Sequence, residues 1–145
     1  MDVLQEIQKE HEEFRRMIAK IEMETESNKK SMFQTLKNEV TAHHEAEESV
    51  VFPDVKSKSE EEGKKIVREM IEEHNIGSYQ MSLLDRTSVS NETWDAKFSV
   101  LKEVLLHHMD EEEKELFKQA KKVLTKDELI QKYKPFEEKE QQEKK

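Results

Sequence analysis

The sequence is poor in the residues that build cross-links, tight turns and membrane spans. Its 145 residues include no cysteine, two glycines and two prolines. Without cysteine, disulfide bonds, thiolate metal sites and cysteine nucleophiles are excluded, and so few glycines and prolines argue against a β-rich fold with many tight turns. The charged N-terminus and the lack of an apolar run near about 18 residues predict neither a secretory signal nor a membrane span. We therefore expect a cytoplasmic protein without a membrane partner.

Charged residues and helix-forming residues dominate what remains. Charged residues make up 41% of the chain, hydrophobic residues 33%, and the formal net charge is -9. The length is typical of one domain, and good helix formers such as Glu, Lys, Gln, Leu and Met are frequent. An acidic chain is repelled by a nucleic-acid backbone. We therefore expect a helical protein that has no nucleic-acid partner.

Polar, cap-prone breaks divide the chain into four long predicted helices and a short fifth. The long helices span about residues 2–25, 29–56, 59–86 and 91–123. Pro53 is expected to end or kink the second of them near Phe52. Thr125 begins the short helix with a capping-box-like pattern, and the charged tail after it is expected to fray.

The predicted fold class is therefore all-α, an up-down-up-down four-helix bundle with a short C-terminal helix and a frayed tail. Short loops between long helices favour antiparallel neighbours. The bundle is expected to occupy residues 1–124, and the short helix and charged tail residues 125–145. An elongated coiled coil is the main alternative, because the apolar seams are nearly heptad, but breaks about every thirty residues favour the compact bundle.

Each long predicted helix carries one histidine in its apolar seam. Two seams add a glutamate four residues after the histidine, on the same helix face. A lone buried histidine is usually hydrogen-bonded to a carbonyl or hydroxyl group, but one in every helix, together with two core glutamates, is better explained by a common site. The six candidate metal ligands are His11, His43, Glu47, His74, His108 and Glu112.

The positions of the histidines along the helices provide a second indication. In antiparallel helices, two residues lie at one level when their midpoint falls in the connecting loop. The midpoints of successive histidines are position 27, the 58–59 boundary and position 91, and each falls in a predicted break. We therefore expect the four imidazoles in one layer, with both carboxylates a turn away, around two adjacent metal ions.

The doubled histidines leave the ligand register open. The preferred pairs are His43/Glu47 and His108/Glu112. The alternative pairs are His44/Glu48 and His107/Glu111, whose helix stripes contain fewer apolar residues. In the preferred register, His44 and His107 flank the site, face solvent or form hydrogen bonds to the ligands. Second glutamates such as Glu48 and Glu113 face solvent or take the same outer role.

The ligand set contains only nitrogen and oxygen donors. Imidazole with carboxylate suits iron or manganese, and zinc remains an alternative. Four imidazoles and two bridging carboxylates do not fill the positions of two six-coordinate metals. Coordination positions then remain for a small ligand such as dioxygen, nitric oxide, peroxide or water.

Four segments carry a resemblance to a known family. They are EHEEF at 10–14, HHEAEESVVFP at 43–53, EEH at 72–74 and HHMDEEEKELF at 107–117. In this order they resemble the hemerythrin-like HHE cation-binding domain family, over about residues 2–123. The resemblance implies a four-helix bundle that holds a non-haem diiron centre. Oxygen-carrying hemerythrins have a fifth histidine one turn after the third-helix histidine, where this chain has Ser78, which puts simple oxygen carriage in doubt.

The leading functional prediction is a diiron protein that binds dioxygen or a related diatomic, for oxygen or nitric oxide sensing, binding or iron handling. Its cofactors would be two iron ions, and its partners dioxygen, nitric oxide or peroxide. A diiron redox enzyme resembling a peroxidase or nitric oxide reductase, and an iron-storage or metal-binding module, are the alternatives. No catalytic residue is identified, and both a monomer and a homodimer are compatible with the lean core.

Overall fold

The computed structural model describes residues 1–144, in which all regular structure is helical. Four long helical rods form a bundle, which confirms the predicted all-α fold. The first rod is α1 (Val3–Met23), and the third is α4 (Glu61–Asp85). The second rod comprises α2 (Glu26–Ala46), a π-helical turn (Glu47–Val51) and α3 (Phe52–Lys58). The fourth comprises α5 (Trp94–Glu111), a π-helical turn (Glu112–Leu116) and α6 (Phe117–Val123), and the chain ends with α7 (Lys126–Gln131) and α8 (Tyr133–Lys144).

Capping boxes begin two of the helices. Asp2 accepts a hydrogen bond from the Gln5 backbone, and the Gln5 side chain accepts one from the Asp2 backbone. Thr125 and Glu128 make the same reciprocal pair at the start of α7. Each box satisfies backbone donors that the first helical turn leaves unpaired, so the predicted start of the short helix at Thr125 is confirmed.

Two apolar clusters fill the bundle, one on each side of the layer that contains the histidines. The first cluster includes Val3, Val55, Val67 and Leu116, and the second includes Phe14, Phe33, Leu84 and Trp94. Along successive rods the chain passes from the first cluster to the second and then back again. This alternation is the antiparallel arrangement that the short loops predicted, and it leaves a polar layer enclosed between two dry regions.

The second rod does not end at Pro53, so of the two outcomes expected there, an end or a kink, the end is wrong. The backbone N–H of Phe52 instead donates to the carbonyl of Glu47, five residues earlier, and helical structure continues to Lys58. Phe117 donates to Glu112 in the same way on the fourth rod, where Lys118 stands in the place equivalent to Pro53. Because the turn forms on the fourth rod without a proline, a proline is not required for it. Single π-helical turns are often found at functional sites.

The charged tail forms α8 and packs along α2, so the prediction that it frays is wrong for residues 133–144. Phe136 is fully buried in the first apolar cluster, and Glu140 is also buried. Lys144 forms an ion pair with Glu39 of α2, 2.8 Å between Nζ and Oε2. One aromatic side chain and a buried carboxyl group therefore hold a segment that has no apolar periodicity. The last residue of the predicted tail, Lys145, lies outside the described residues.

Within residues 1–144, no helix is both long enough and apolar enough to cross a bilayer.

Candidate metal centre

All six predicted ligand residues lie in the layer between the two apolar clusters. None of their side chains is more than 3% exposed. His11 comes from the first rod, His43 and Glu47 from the second, His74 from the third, and His108 and Glu112 from the fourth. Both glutamates begin a π-helical turn. The structure therefore brings together side chains that lie up to about a hundred residues apart in the sequence.

The ligand atoms form two groups, and within each group every atom lies within 4.8 Å of the others. One group consists of His11, His43, Glu47 and Glu112, and the other of His44, Glu47, His74 and His108. Glu47 belongs to both groups. Its Oε1 lies 3.5 Å from Nε2 of His43 and 3.1 Å from Nε2 of His74.

Glu112 has a similar position on the opposite rod. Its Oε1 lies 3.1 Å from Nε2 of His11 and 3.7 Å from Nε2 of His108. Each carboxylate therefore contacts imidazoles of two different rods. Of the two carboxylates, only Glu47 belongs to both groups of ligand atoms.

A second set of glutamates, outside the ligand atoms, contacts the four imidazoles at Nδ1. The Nδ1 atoms of His43, His74 and His108 each lie 2.7 Å from a glutamate oxygen, and that of His11 lies 2.6 Å from one. The partners of His11, His43, His74 and His108 are Glu113, Glu10, Glu48 and Glu73, in that order. In the tautomer in which Nδ1–H donates to the glutamate, Nε2 carries no hydrogen and faces the centre, as a metal ligand requires.

The sequence contains a weak signal for this outer set. Glu10 and Glu73 directly precede a ligand histidine, and Glu48 and Glu113 directly follow a ligand glutamate. Sequence reasoning gave the last two an open role and did not identify the first two.

The inner atoms are buried without hydrogen-bond partners. They are the Nε2 atoms of His11, His43, His74 and His108 and both carboxylate oxygens of Glu47 and Glu112. Within residues 1–144, the only other side-chain atom of this kind is Oε1 of Glu6. Leaving one polar group unpaired and buried costs about 1–3 kcal/mol, so eight converging on one place need a common partner. Cations coordinated by these nitrogens and oxygens would satisfy them, and the donor set fits iron, manganese or zinc.

The protonation states of His43 and His74 suit cation binding. Burial lowers the pKa of His43 to about 3 and lowers that of His74, although the Glu48 hydrogen bond opposes the latter shift. These imidazoles are therefore neutral near pH 7 and have a free lone pair. Burial, followed by the charge of Glu112, raises the pKa of Glu47 well above its usual value.

Glu112 is shifted in the opposite direction from Glu47. Burial raises its pKa, but the neighbouring Glu47 carboxyl group and His11 imidazole outweigh burial and hold the pKa well below the usual value. The carboxylate pair therefore keeps a proton when no cation is present. A bound cation replaces that proton as the partner of both carboxylates.

The two histidines outside the preferred register have different environments. His107 is 71% exposed and pairs with Glu111 at the surface, 2.8 Å between Nε2 and Oε2. His44 is only 8% exposed, and its ring stacks on His74 with 3.6 Å between the ring centroids. The alternative register had placed His44 among the ligands, whereas the preferred register gave it a flanking, exposed or hydrogen-bonding role. Ser78, by contrast, is exposed and does not line the centre.

A small cavity adjoins the first ligand group. It provides about 10 Å³ for the centre of a water-sized sphere, which is about the space that one water molecule needs. The lining combines three imidazoles with four apolar side chains. The lining residues are His11, Phe14, Val40, His43, His44, Leu105 and Met109.

Comparison with known families agrees with this geometry. The model of the family described as "Hemerythrin HHE cation binding domain" matches residues 2–120, which include every residue of the inner layer. Comparisons with curated proteins and with solved structures give no match. A family match over most of the chain, together with a buried His/Glu cluster able to bind metal, leads to one conclusion: the chain belongs to the hemerythrin HHE cation-binding domain family.

Proposed function

We propose that this chain is a non-haem diiron protein that binds dioxygen or a related diatomic such as nitric oxide. The observation that carries the proposal is the set of eight unpaired inner atoms, four imidazole nitrogens and four carboxylate oxygens, in two groups that share Glu47. His11, His43 and Glu112 would hold one iron, His74 and His108 the other, and Glu47 would contact both. When bound, the iron pair supplies the redox change and the coordination position that a diatomic uses.

The protein's own residues orient this donor set before any metal arrives. Four outer glutamates fix the imidazole rings through hydrogen bonds of 2.6–2.7 Å. Partners of this kind usually change metal affinity by about 10–100-fold when they are removed. The two apolar clusters exclude water from both sides of the layer, which strengthens the attraction between the carboxylates and the cations.

The cavity supports a small ligand rather than a larger substrate. It has room for about one water-sized molecule, and Phe14, Val40, Leu105 and Met109 make most of its wall apolar. An apolar diatomic loses little on entering such a wall, whereas a charged or bulky substrate would be excluded. Because His11 and His43 also line the cavity, the diatomic would reach the iron that these two histidines hold.

The proposal is tested by anaerobic titration of the metal-free protein with Fe(II), followed by addition of dioxygen or nitric oxide. We expect two irons per chain and a change in the near-ultraviolet and visible absorption on gas addition. Val40→Phe, which fills the cavity, should retain both irons and lose the response to gas. Val100→Phe, the same substitution at a position that is 49% exposed, should behave as the unaltered protein.

A stoichiometry far from two, or no spectral change with either gas, would refute this proposal. Binding of many irons per chain would instead indicate storage. Continuous consumption of nitric oxide or peroxide over many turnovers would indicate a redox enzyme.

A further inference from the structure

We propose that His44 supplies a fifth imidazole to the metal pair, on the cation held by Glu47, His74 and His108. This inference rests on the proposed function, because it requires that the chain binds two cations. It assigns a ligand role to a residue outside the preferred histidine-glutamate register. It also assigns different roles to the two identical His-His pairs of the sequence.

The position of the His44 ring carries the inference. A ring nitrogen of His44 lies within 4.8 Å of ligand atoms of Glu47, His74 and His108, which themselves lie within the same distance of one another. The ring is parallel to that of His74, with an interplanar angle of 11°, and meets the edge of His108 at 5.4 Å between centroids. His44 therefore completes a cluster of four donors around one point.

The two ligand groups contain the same number of donor residues only when His44 is included. The group around His11 and His43 contains two imidazoles and two carboxylates. The other group contains two imidazoles and only the shared Glu47 unless His44 is added. With His44, each cation has four protein donors, and the cation held by His74 and His108 has three imidazoles.

Within residues 1–144, no hydrogen bond involves a ring nitrogen of His44. Each of the other four inner histidines gives Nδ1 to a glutamate, but within residues 1–144 His44 forms no such bond. The ring nitrogens of His44 are not among the fully buried atoms without a partner, and the side chain as a whole is 8% exposed. A cation held by Glu47, His74 and His108 would give one of them a partner.

Helix geometry explains how α2 serves both cations. Consecutive residues of an α-helix point about 100° apart, so His43 and His44 face different ligand groups from one turn of α2. Glu47 lies between them, four residues after one and three after the other, and joins both groups. The equivalent pair on α5 lacks this arrangement, since His107 is 71% exposed.

The experiment compares His44→Phe with His107→Phe in the full chain. Phenylalanine keeps an aromatic ring against His74 but removes both nitrogens, and far-ultraviolet circular dichroism of the metal-free variants checks the fold. In anaerobic Fe(II) titrations, the unaltered chain and His107→Phe should each bind two irons. His44→Phe should bind one iron normally and the second at least about 100-fold more weakly, beyond the range expected for losing a hydrogen-bonding partner alone.

A second measurement counts the ligands directly. In protein labelled with ¹⁵N-histidine and loaded with enough cobalt(II) to fill both sites, five of the six histidines should show large contact shifts in the unaltered chain, and four in His44→Phe. Two irons bound equally well by His44→Phe, or four shifted histidines in the unaltered chain, would overturn the role of His44 and leave the diiron proposal intact. Failure of the unaltered chain to bind two irons would overturn both.

Discussion

Replacing Glu47 by methionine is expected to change stability in opposite directions in the metal-free and the metal-loaded protein. The Glu47 side chain is fully buried, and neither carboxylate oxygen has a hydrogen-bond partner among the described residues. Burial first, and then the charge of Glu112, raise its pKa well above the usual value, so the folded protein disfavours the ionised carboxylate. Methionine has a similar length and no charge, and it removes this penalty.

The expected magnitudes follow from this burial. A buried polar group left without a partner costs about 1–3 kcal/mol, so removing the Glu47 carboxyl group should stabilise the metal-free protein by an amount of this order. A domain of this size gains about 2–4 °C in Tm per kcal/mol. In the metal-loaded protein, the effect of Glu47→Met on stability has the opposite sign. At a free metal concentration about 100 times Kd, a bound cation stabilises the folded state by about 2.7 kcal/mol. Glu47→Met should lose most of this gain, because it removes a ligand that both groups share.

Thermal unfolding followed by circular dichroism, with EDTA and with anaerobic Fe(II), measures both effects. The variant should unfold at a higher temperature than the unaltered protein in EDTA and at a lower one in Fe(II). Glu45→Met, an exposed position two residues earlier, should stay within about 0.5 kcal/mol of the unaltered protein in both conditions. If Glu47→Met lowers Tm in EDTA, the carboxylate is already satisfied inside the protein, and the reasoning from unpaired atoms is wrong.

Three further predictions concern the metal-free protein. The pKa of His43 is about 3 in the fold and about 6.5 in an unfolded chain, so only the unfolded chain gains a proton between these values. Urea titrations should therefore show the free energy of unfolding falling below pH 6.5 by up to about 1.4 kcal/mol per pH unit from this residue alone. If the free energy of unfolding does not fall in this range, His43 is not neutral in the folded protein. Gly77→Ala should raise stability by up to about 1 kcal/mol, because the new Cβ lies at an ordinary contact distance, 3.6 Å, from its nearest neighbour. Gly63→Ala should lower stability, because its Cβ would lie 2.5 Å from Ser59 Cβ. Equal effects of the two substitutions on Tm would refute the packing argument. Phe136→Ala should reduce the free energy of unfolding by about 3–5 kcal/mol, since this ring is fully buried; an unchanged urea midpoint would show that α8 does not stabilise the bundle.

The bundle and its inner layer followed from sequence because they depend on spacing alone. A histidine in each seam and a glutamate four residues later are set by the helical period, and the midpoints of successive histidines place them at one level. The outer glutamates could not be singled out in the same way. In a chain with 34 acidic residues, a glutamate beside a histidine looks the same whether it faces the ring or the solvent.

Two other features depend on tertiary contacts that the local sequence does not carry. The pairs His43-His44 and His107-His108 are identical as dipeptides, yet His44 is buried against His74 and His107 is at the surface. The tail has a single buried aromatic residue, Phe136, and packs along α2 with the help of the buried Glu140 and the Lys144–Glu39 ion pair. Periodicity finds stripes of several apolar residues, and it does not find a helix that has only one such residue in the core.

The π-helical turns have a consequence for which changes in chain length the protein tolerates. Each turn contains one residue more than an α-helical turn of the same rise, so the side chains after it are rotated by about 100° relative to a continuous α-helix. Deleting one residue from Glu47–Val51 would restore the shorter hydrogen-bonding pattern and direct Phe52 and Val55 away from the interior that they now fill. Homologous chains should therefore vary in length at the loops between the rods and keep a constant number of residues between each ligand glutamate and the phenylalanine that follows it.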